Sequence, residues 1–143
     1  MPADSDPVEI AARALQHHDR SRQQRDQRLA RAGVDEAARA EALETLERVG
    51  YVDDGRYAQA RAESLAQRGY GDDGIRHQLE QDGIDPDAVA EALAAIAPER
   101  DRAAELIARL GPGPKTAARL GRKGFGSDAV EAAAVGEVGG GPF

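Results

Sequence analysis

The chain has 143 residues and no cysteine, which excludes disulfides and thiolate metal sites. Its net charge of −7 opposes binding that relies on coating nucleic-acid phosphates, and no apolar run is long enough to cross a bilayer. About half of the 41% hydrophobic content is alanine, and Leu, Ile, Val and Phe together fall below roughly one-fifth, so the composition favours a thin helical array over a thick-cored globule.

The chain opens without a basic-then-apolar leader, so secretion and membrane insertion are not expected and the cytoplasm is the expected compartment. A first helix is predicted through "AARAL", ending at Leu15. His17-His18-Asp19 follows, but adjacent histidines point to different faces and the next histidine is His77, so no metal site is expected. Ser21 and Gln24 have capping-box spacing for a second helix. That helix carries Arg20, Arg22, Arg25, Arg28 and Arg31, the densest basic stretch. It ends at Gly33, with Val34 as an apolar clasp and Asp35 as the cap of the third helix.

The next segment, "GYVDDGRYA" at 50–58, places two acids side by side. Paired carboxylates can hold metal or move protons, but the order Gly50-Tyr51-Val52-Asp53 repeats the stop, clasp and cap of Gly33-Val34-Asp35. Asp53 is therefore read as an N-cap, with Asp54 in the first turn favoured by the helix dipole. Further on, Gly83 can take the left-handed conformation that ends a helix, Ile84 packs back over the last turn, and Asp85 with Pro86 starts the next helix. Val89, Ala92, Leu93 and Ile96 then mark one face, as do Ala103, Leu106, Ile107 and Leu110 after them. "GPGPKT" at 111–116 lacks the leading glycine and the preceding strand of a phosphate loop, so Gly113-Pro114 is read as a helix start. Lys115, Arg119, Arg122 and Lys123 form the second basic stretch.

These segments repeat. "LARAGVDEAARAEAL" (29–43), "LEQDGIDPDAVAEAL" (79–93) and "LGRKGFGSDAVEAAA" (120–134) align without a gap, at offsets of 50 and then 41 residues. The expected architecture is all-α, in three tandem three-helix repeats over residues 8–50, 51–98 and 99–136. The last helix is weak, because the places of Leu93 and Ile96 are taken by Ala134 and Glu137, and residues 137–143 are expected to be a flexible Gly-rich tail. Charge divides along the same lines. Residues 1–31 carry six Arg against five acids, 32–98 six Arg against fifteen, and 99–143 seven Lys or Arg against six. No nucleophile and base can be assembled from these caps and surface residues, so an enzyme is not expected.

With "GYVDDGRYA" (50–58), "GYGDDGIRHQLEQDGID" (69–85), Arg20-Ser21 and "LGRKGF" (120–125) in this order, the chain resembles the RecX family of recombinase regulators over roughly residues 8 to 135. The resemblance implies an elongated, curved helical array that binds the RecA recombinase in the groove of its filament on DNA. It implies inhibition of RecA's ATP hydrolysis, strand exchange and filament growth, in DNA repair, recombination and the SOS response, with no cofactor and no small-molecule substrate. The acidic middle, Asp53, Asp54, Asp72 and Asp73, is then expected to face basic recombinase surface. The basic ends, Arg20, Arg22 and Arg28 with Lys115, Arg119 and Lys123, are expected to meet acidic recombinase surface or the bound strand. Arg56, Tyr57, Tyr70 and Arg76 complete the expected partner-binding set of a monomer. Three departures from the family pattern bear on packing: Arg25 and Thr116 occupy the register of Ile75, with the Arg25 head expected to reach water, and the last helix has lost its apolar face. A helical scaffold for another partner and a direct DNA-binding helical module are the alternatives.

Overall fold

The computed structural model describes residues 20–135. All regular structure among them is helical: α1 (Arg22–Arg31), α2 (Glu36–Arg48), α3 (Asp54–Gln67), α4 (Asp72–Gln81), α5 (Pro86–Ala94), α6 (Glu99–Leu110), α7 (Pro114–Arg122) and α8 (Ser127–Val135). The helix expected to end at Leu15, the His17-His18-Asp19 stretch and the tail at 137–143 lie outside the described residues.

The helices start and stop where local chemistry directs. Ser21 and Gln24 form the reciprocal capping box of α1. Asp35, Asp53 and Asp85 each accept the backbone N–H three residues on, at 3.0 Å. The stops at Gly33, Gly83 and Gly124 share a φ of +85 to +90°. After each, the clasp residue donates its N–H five residues back, Val34 to Leu29, Ile84 to Leu79 and Phe125 to Leu120, at 3.0–3.1 Å. These are Schellman closures, which satisfy carbonyls that a bare helix end would leave open. Gly50 closes α2 in the same way, but its unit has one residue more: Tyr51 makes the backbone bond while its ring is 56% exposed, and Val52 is the buried clasp.

Each group of helices encloses its own small core. Leu29 packs with Ala42 and Leu43 between α1 and α2. Leu65, Ile75, Leu79 and Val89 anchor α3–α5, and Leu106, Ile107, Leu120 and Phe125 anchor α6–α8. Truncating Leu79, which is fully buried, to alanine would cost about 2–5 kcal/mol. Three expectations need correction, while Thr116 keeps its register. The Arg25 head does not reach water, since the whole side chain is 1% exposed. Leu110, assigned to the core face of α6, is 44% exposed. Thr116 is buried, as the register of Ile75 implies, and donates its hydroxyl to the Gly111 carbonyl. The small face of α8 still packs, with Ala133 wholly buried beside Val130.

The units join through their second helices, which meet end to end. The C-terminus of α4 abuts the N-terminus of α1: the Asp82 carbonyl accepts the Ser21 hydroxyl at 2.6 Å, and the Gln81 carbonyl accepts Gln23 Nε2 at 3.1 Å. Likewise α7 abuts α4: the Lys123 carbonyl accepts the Gly71 N–H at 2.8 Å and the Gly124 carbonyl accepts the Asp73 N–H at 3.1 Å. The first residue of the following unit's first helix completes each joint. Asp54 Oδ1 accepts the Arg22 N–H and Glu99 Oε1 the Asp72 N–H, both at 2.7 Å. At α4 the donors that every helix start leaves open are thus met by the carbonyl-rich, partly negative end of α7, whereas at α1 the carbonyls of α4 take side-chain donors and the backbone N–H groups are met by the capping box and Asp54. At α7 this demand is smaller, because the Gly113 N–H is taken within its own unit by the Ala133 carbonyl at 2.9 Å and Pro114 has none.

Candidate functional site: the charged faces of the array

The burial pattern of α7 decides where its cations go. Thr116, Ala117 and Leu120 face the core, so Lys115, Arg119 and Arg122, at i, i+4 and i+7, share the outer face. They line a shallow groove with Leu110, Thr116 and Ala118. None of the three cations stands in an ion pair among the described residues. Lys123, expected with them, lies elsewhere. Its ammonium sits over the Tyr70 ring, 4.3 Å from the centroid, with the Arg68 guanidinium 5.7 Å away from it. The α4–α7 joint holds both Lys123 and Tyr70.

On α1 the buried Arg25 and Leu29 turn Arg28 and Arg31 outward, and Arg20 is exposed before the cap. Arg22 is only half-exposed and pairs with Glu47 at 3.2 Å. The two basic ends are therefore Arg20, Arg28 and Arg31 at one side and Lys115, Arg119 and Arg122 at the other.

In the middle most of the arginines pair with acids, while Arg48 and Arg68 stand outside ion pairs among the described residues. Asp73 holds Arg76 at 2.6 Å, Asp72 holds Arg102 at 3.0 Å and Asp82 holds Arg61 at 3.7 Å. Arg56 pairs loosely with Asp53 at 4.0 Å and donates to the Gly50 and Tyr51 carbonyls, bracing that turn. Such half-exposed pairs add only about 0–1 kcal/mol each; their larger effect is to neutralise the middle's cations. The acids left over, Glu63, Glu80, Asp87 and Glu91, are exposed, so the middle surface stays acidic.

Three expected contact residues are engaged within the fold. Tyr57 is buried, its hydroxyl donates to Asp82 Oδ2 at 2.7 Å, and burial followed by that bond pushes its pKa up to about 12. Asp54 caps α1 of the preceding unit as well as opening α3; burial raises its pKa above the ordinary carboxylate value, against the lowering effect of the Arg22 N–H. Asp72 is held between Arg102 and the joint. Sequence reasoning missed Asp82 and Glu99, which bond both across the joints and within their own units. Asp82 had a signal, because an acid at a helix C-terminus opposes the dipole and needs tertiary partners.

Among the described residues no three His, Cys, Asp or Glu side chains converge to hold a metal, and no helix is long and apolar enough to cross a membrane.

Comparison with known proteins agrees with this architecture. Residues 53–93, which take in α3, α4 and all but the last residue of α5, match the family model for the RecX second three-helix domain. The regulatory protein RecX of Xanthomonas axonopodis pv. citri (strain 306) is 32% identical over 137 residues, covering 89% of this chain and 85% of its own. That of Stenotrophomonas maltophilia (strain R551-3) is 28% identical over 142 residues, covering 92% and 87%. The crystal structure of RecX from Lactobacillus salivarius superposes with a TM-score of 0.76 at 19% identity, over 93% of this chain and 96% of that one, and so shares the fold. Repeated three-helix units, the glycine–clasp–cap stops and a relative similar along nearly its whole length lead to one assignment: the chain belongs to the RecX family.

Proposed function

We propose that this protein regulates the RecA recombinase, lying along its filament on DNA and lowering ATP hydrolysis, strand exchange and filament growth. It acts in the cytoplasm by binding, as a single chain, without catalysis or a cofactor. Support comes from the name its relatives carry, regulatory protein RecX, and from one structural observation: among the described residues each end of the array carries a cluster of exposed cations outside ion pairs, while the surface between them is predominantly acidic. A rod with alternating charge can touch several filament subunits at once, so modest contacts add through effective concentration. DNA enters only as the strand the filament holds, since the net charge of −7 opposes independent binding.

The test is the DNA-dependent ATPase of RecA from the same organism, with this protein added well below one copy per RecA. The rate is expected to fall. The triple variant Lys115→Glu, Arg119→Glu, Arg122→Glu is expected to need at least about tenfold more protein for the same inhibition, about 1.4 kcal/mol of contact, while its helical circular dichroism is unchanged. Lys123 is left intact because its side chain belongs to the α4–α7 joint. An unaffected ATPase at excess protein retires the proposal, and undiminished inhibition by the variant removes the α7 end from it.

A further inference from the structure

The groove on α7 has two properties that belong together. Its cations, Lys115, Arg119 and Arg122, follow helical spacing along about two turns, and no acid lines it. Beside them stands Leu110, the last residue of α6 and the one member of that helix's apolar face left in water, at 44% exposed. Ala118, between the charged stems, keeps the floor low.

We infer that this groove docks an acidic amphipathic helix of a protein partner, with carboxylates on the three cations and an apolar side chain over Leu110. The inference rests on the reading above that the α7 end makes contact, and it names the chemistry of what is contacted. A phosphate backbone would match the cations but leave Leu110 in water. Base stacking is no substitute, because the groove has no aromatic ring. The remainder of the chain is acidic and repels a phosphate backbone, whereas a short acidic segment meets only the local cations. Acids repeating at i, i+4 and i+7 on the partner would face the α7 row, and an apolar residue one turn away would cover Leu110. This is the helix-in-groove mode, in which charge sets register and the apolar anchor excludes water.

Fluorescence anisotropy with the full chain tests this without any recombinase. The probe is a labelled peptide of about 14 residues with Glu at i, i+4 and i+7 and a single Leu anchor. Its controls are the same peptide with the Leu replaced by Ser, and an oligo(dT) of about equal length. The Leu peptide is expected to bind at least about tenfold tighter than the Ser peptide and tighter than oligo(dT). Binding should be lost in Arg119→Glu and weakened to the Ser-peptide level in Leu110→Ser. Both sites are exposed, and circular dichroism confirms that the variants fold. Equal affinity for the two peptides, tighter binding of oligo(dT), or indifference to Leu110→Ser would each overturn the inference. Peptide binding without RecA inhibition would retire the functional reading and leave this surface standing; inhibition without peptide binding would do the reverse.

Discussion

Gly74→Ala sets helix propensity against the tightness of the α4–α7 joint. Gly74 lies inside α4, where alanine would normally be favoured by about 1 kcal/mol. A Cβ there would stand 2.3 Å from the Lys123 carbonyl oxygen, which is backbone and cannot rotate away. Relieving the clash means opening the joint by roughly 1 Å, enough to break the bonds that Gly71 and Asp73 donate at 2.8 and 3.1 Å. Losing two such bonds costs about 1–3 kcal/mol, and loosening the carboxylate-accepted bond from the Asp72 N–H to Glu99 adds about 1.5 or more. After subtracting the propensity gain, a net loss of about 2 kcal/mol is expected. Urea unfolding followed by circular dichroism should then show the midpoint falling by roughly 1 M. Gly121→Ala is the control, because its Cβ would meet only Val130 Cγ2 at 3.9 Å and should raise the midpoint. If Gly74→Ala raises the midpoint as much as Gly121→Ala, the joint is not the close backbone contact described here.

Three further outcomes are expected. Tyr57→Phe should cost about 1–2 kcal/mol in thermal or urea unfolding through the lost bond to Asp82. Because the Tyr57 pKa is raised from 10.0 to about 12, its contribution is full below the ordinary value and lost as the pH rises through the folded one; a spectrophotometric titration should lose its phase near 12 in the variant. Asp54→Asn keeps an oxygen for the Arg22 N–H and removes a charge that burial disfavours, so urea midpoints should match or exceed the parent at neutral pH. That advantage should vanish below the ordinary value of 3.8, where the parent carboxyl is protonated in both states. Ser21→Ala removes the α1 cap and the bond to the Asp82 carbonyl together, and should lower stability by about 1–2 kcal/mol, read as a drop in melting temperature.

The parts of the fold legible in the sequence are those whose partners lie within a few residues. The Asp35, Asp53 and Asp85 caps and the Gly33, Gly83 and Gly124 stops are contacts across three to five positions, so glycine, clasp and acid spell them directly. The joints pair residues much further apart, Arg22 with Asp54 across 32 positions and Ser21 with Asp82 across 61, and no local pattern announces them. This is why Asp54 read as serving its own helix when it also caps the one before. The same limit affected the site. Tyr57 and Lys123 carry side chains fit for a partner, but the joints claim both. Lys115 and Arg119 were identifiable because a helix with Thr116, Ala117 and Leu120 inward must turn them outward. Leu110 was placed in the core because it fits the α6 periodicity; the Gly111 turn after it ends the packing one residue early.

The direction of the joints bears on the order in which the chain acquires structure. The start of α1 has its own capping box but gains its Asp54 and Asp82 partners only once those residues have been synthesised, and the start of α4 waits for Glu99, Lys123 and Gly124. The α6–α8 unit waits for none of these, since Gly113 finds its acceptor in Ala133 and Pro114 needs none. Emergence from the ribosome therefore runs from the amino terminus while completion runs back from the carboxyl side. In a linear array whose stability is a sum of unit and interface terms, the last-made unit is the one on which the earlier ones settle.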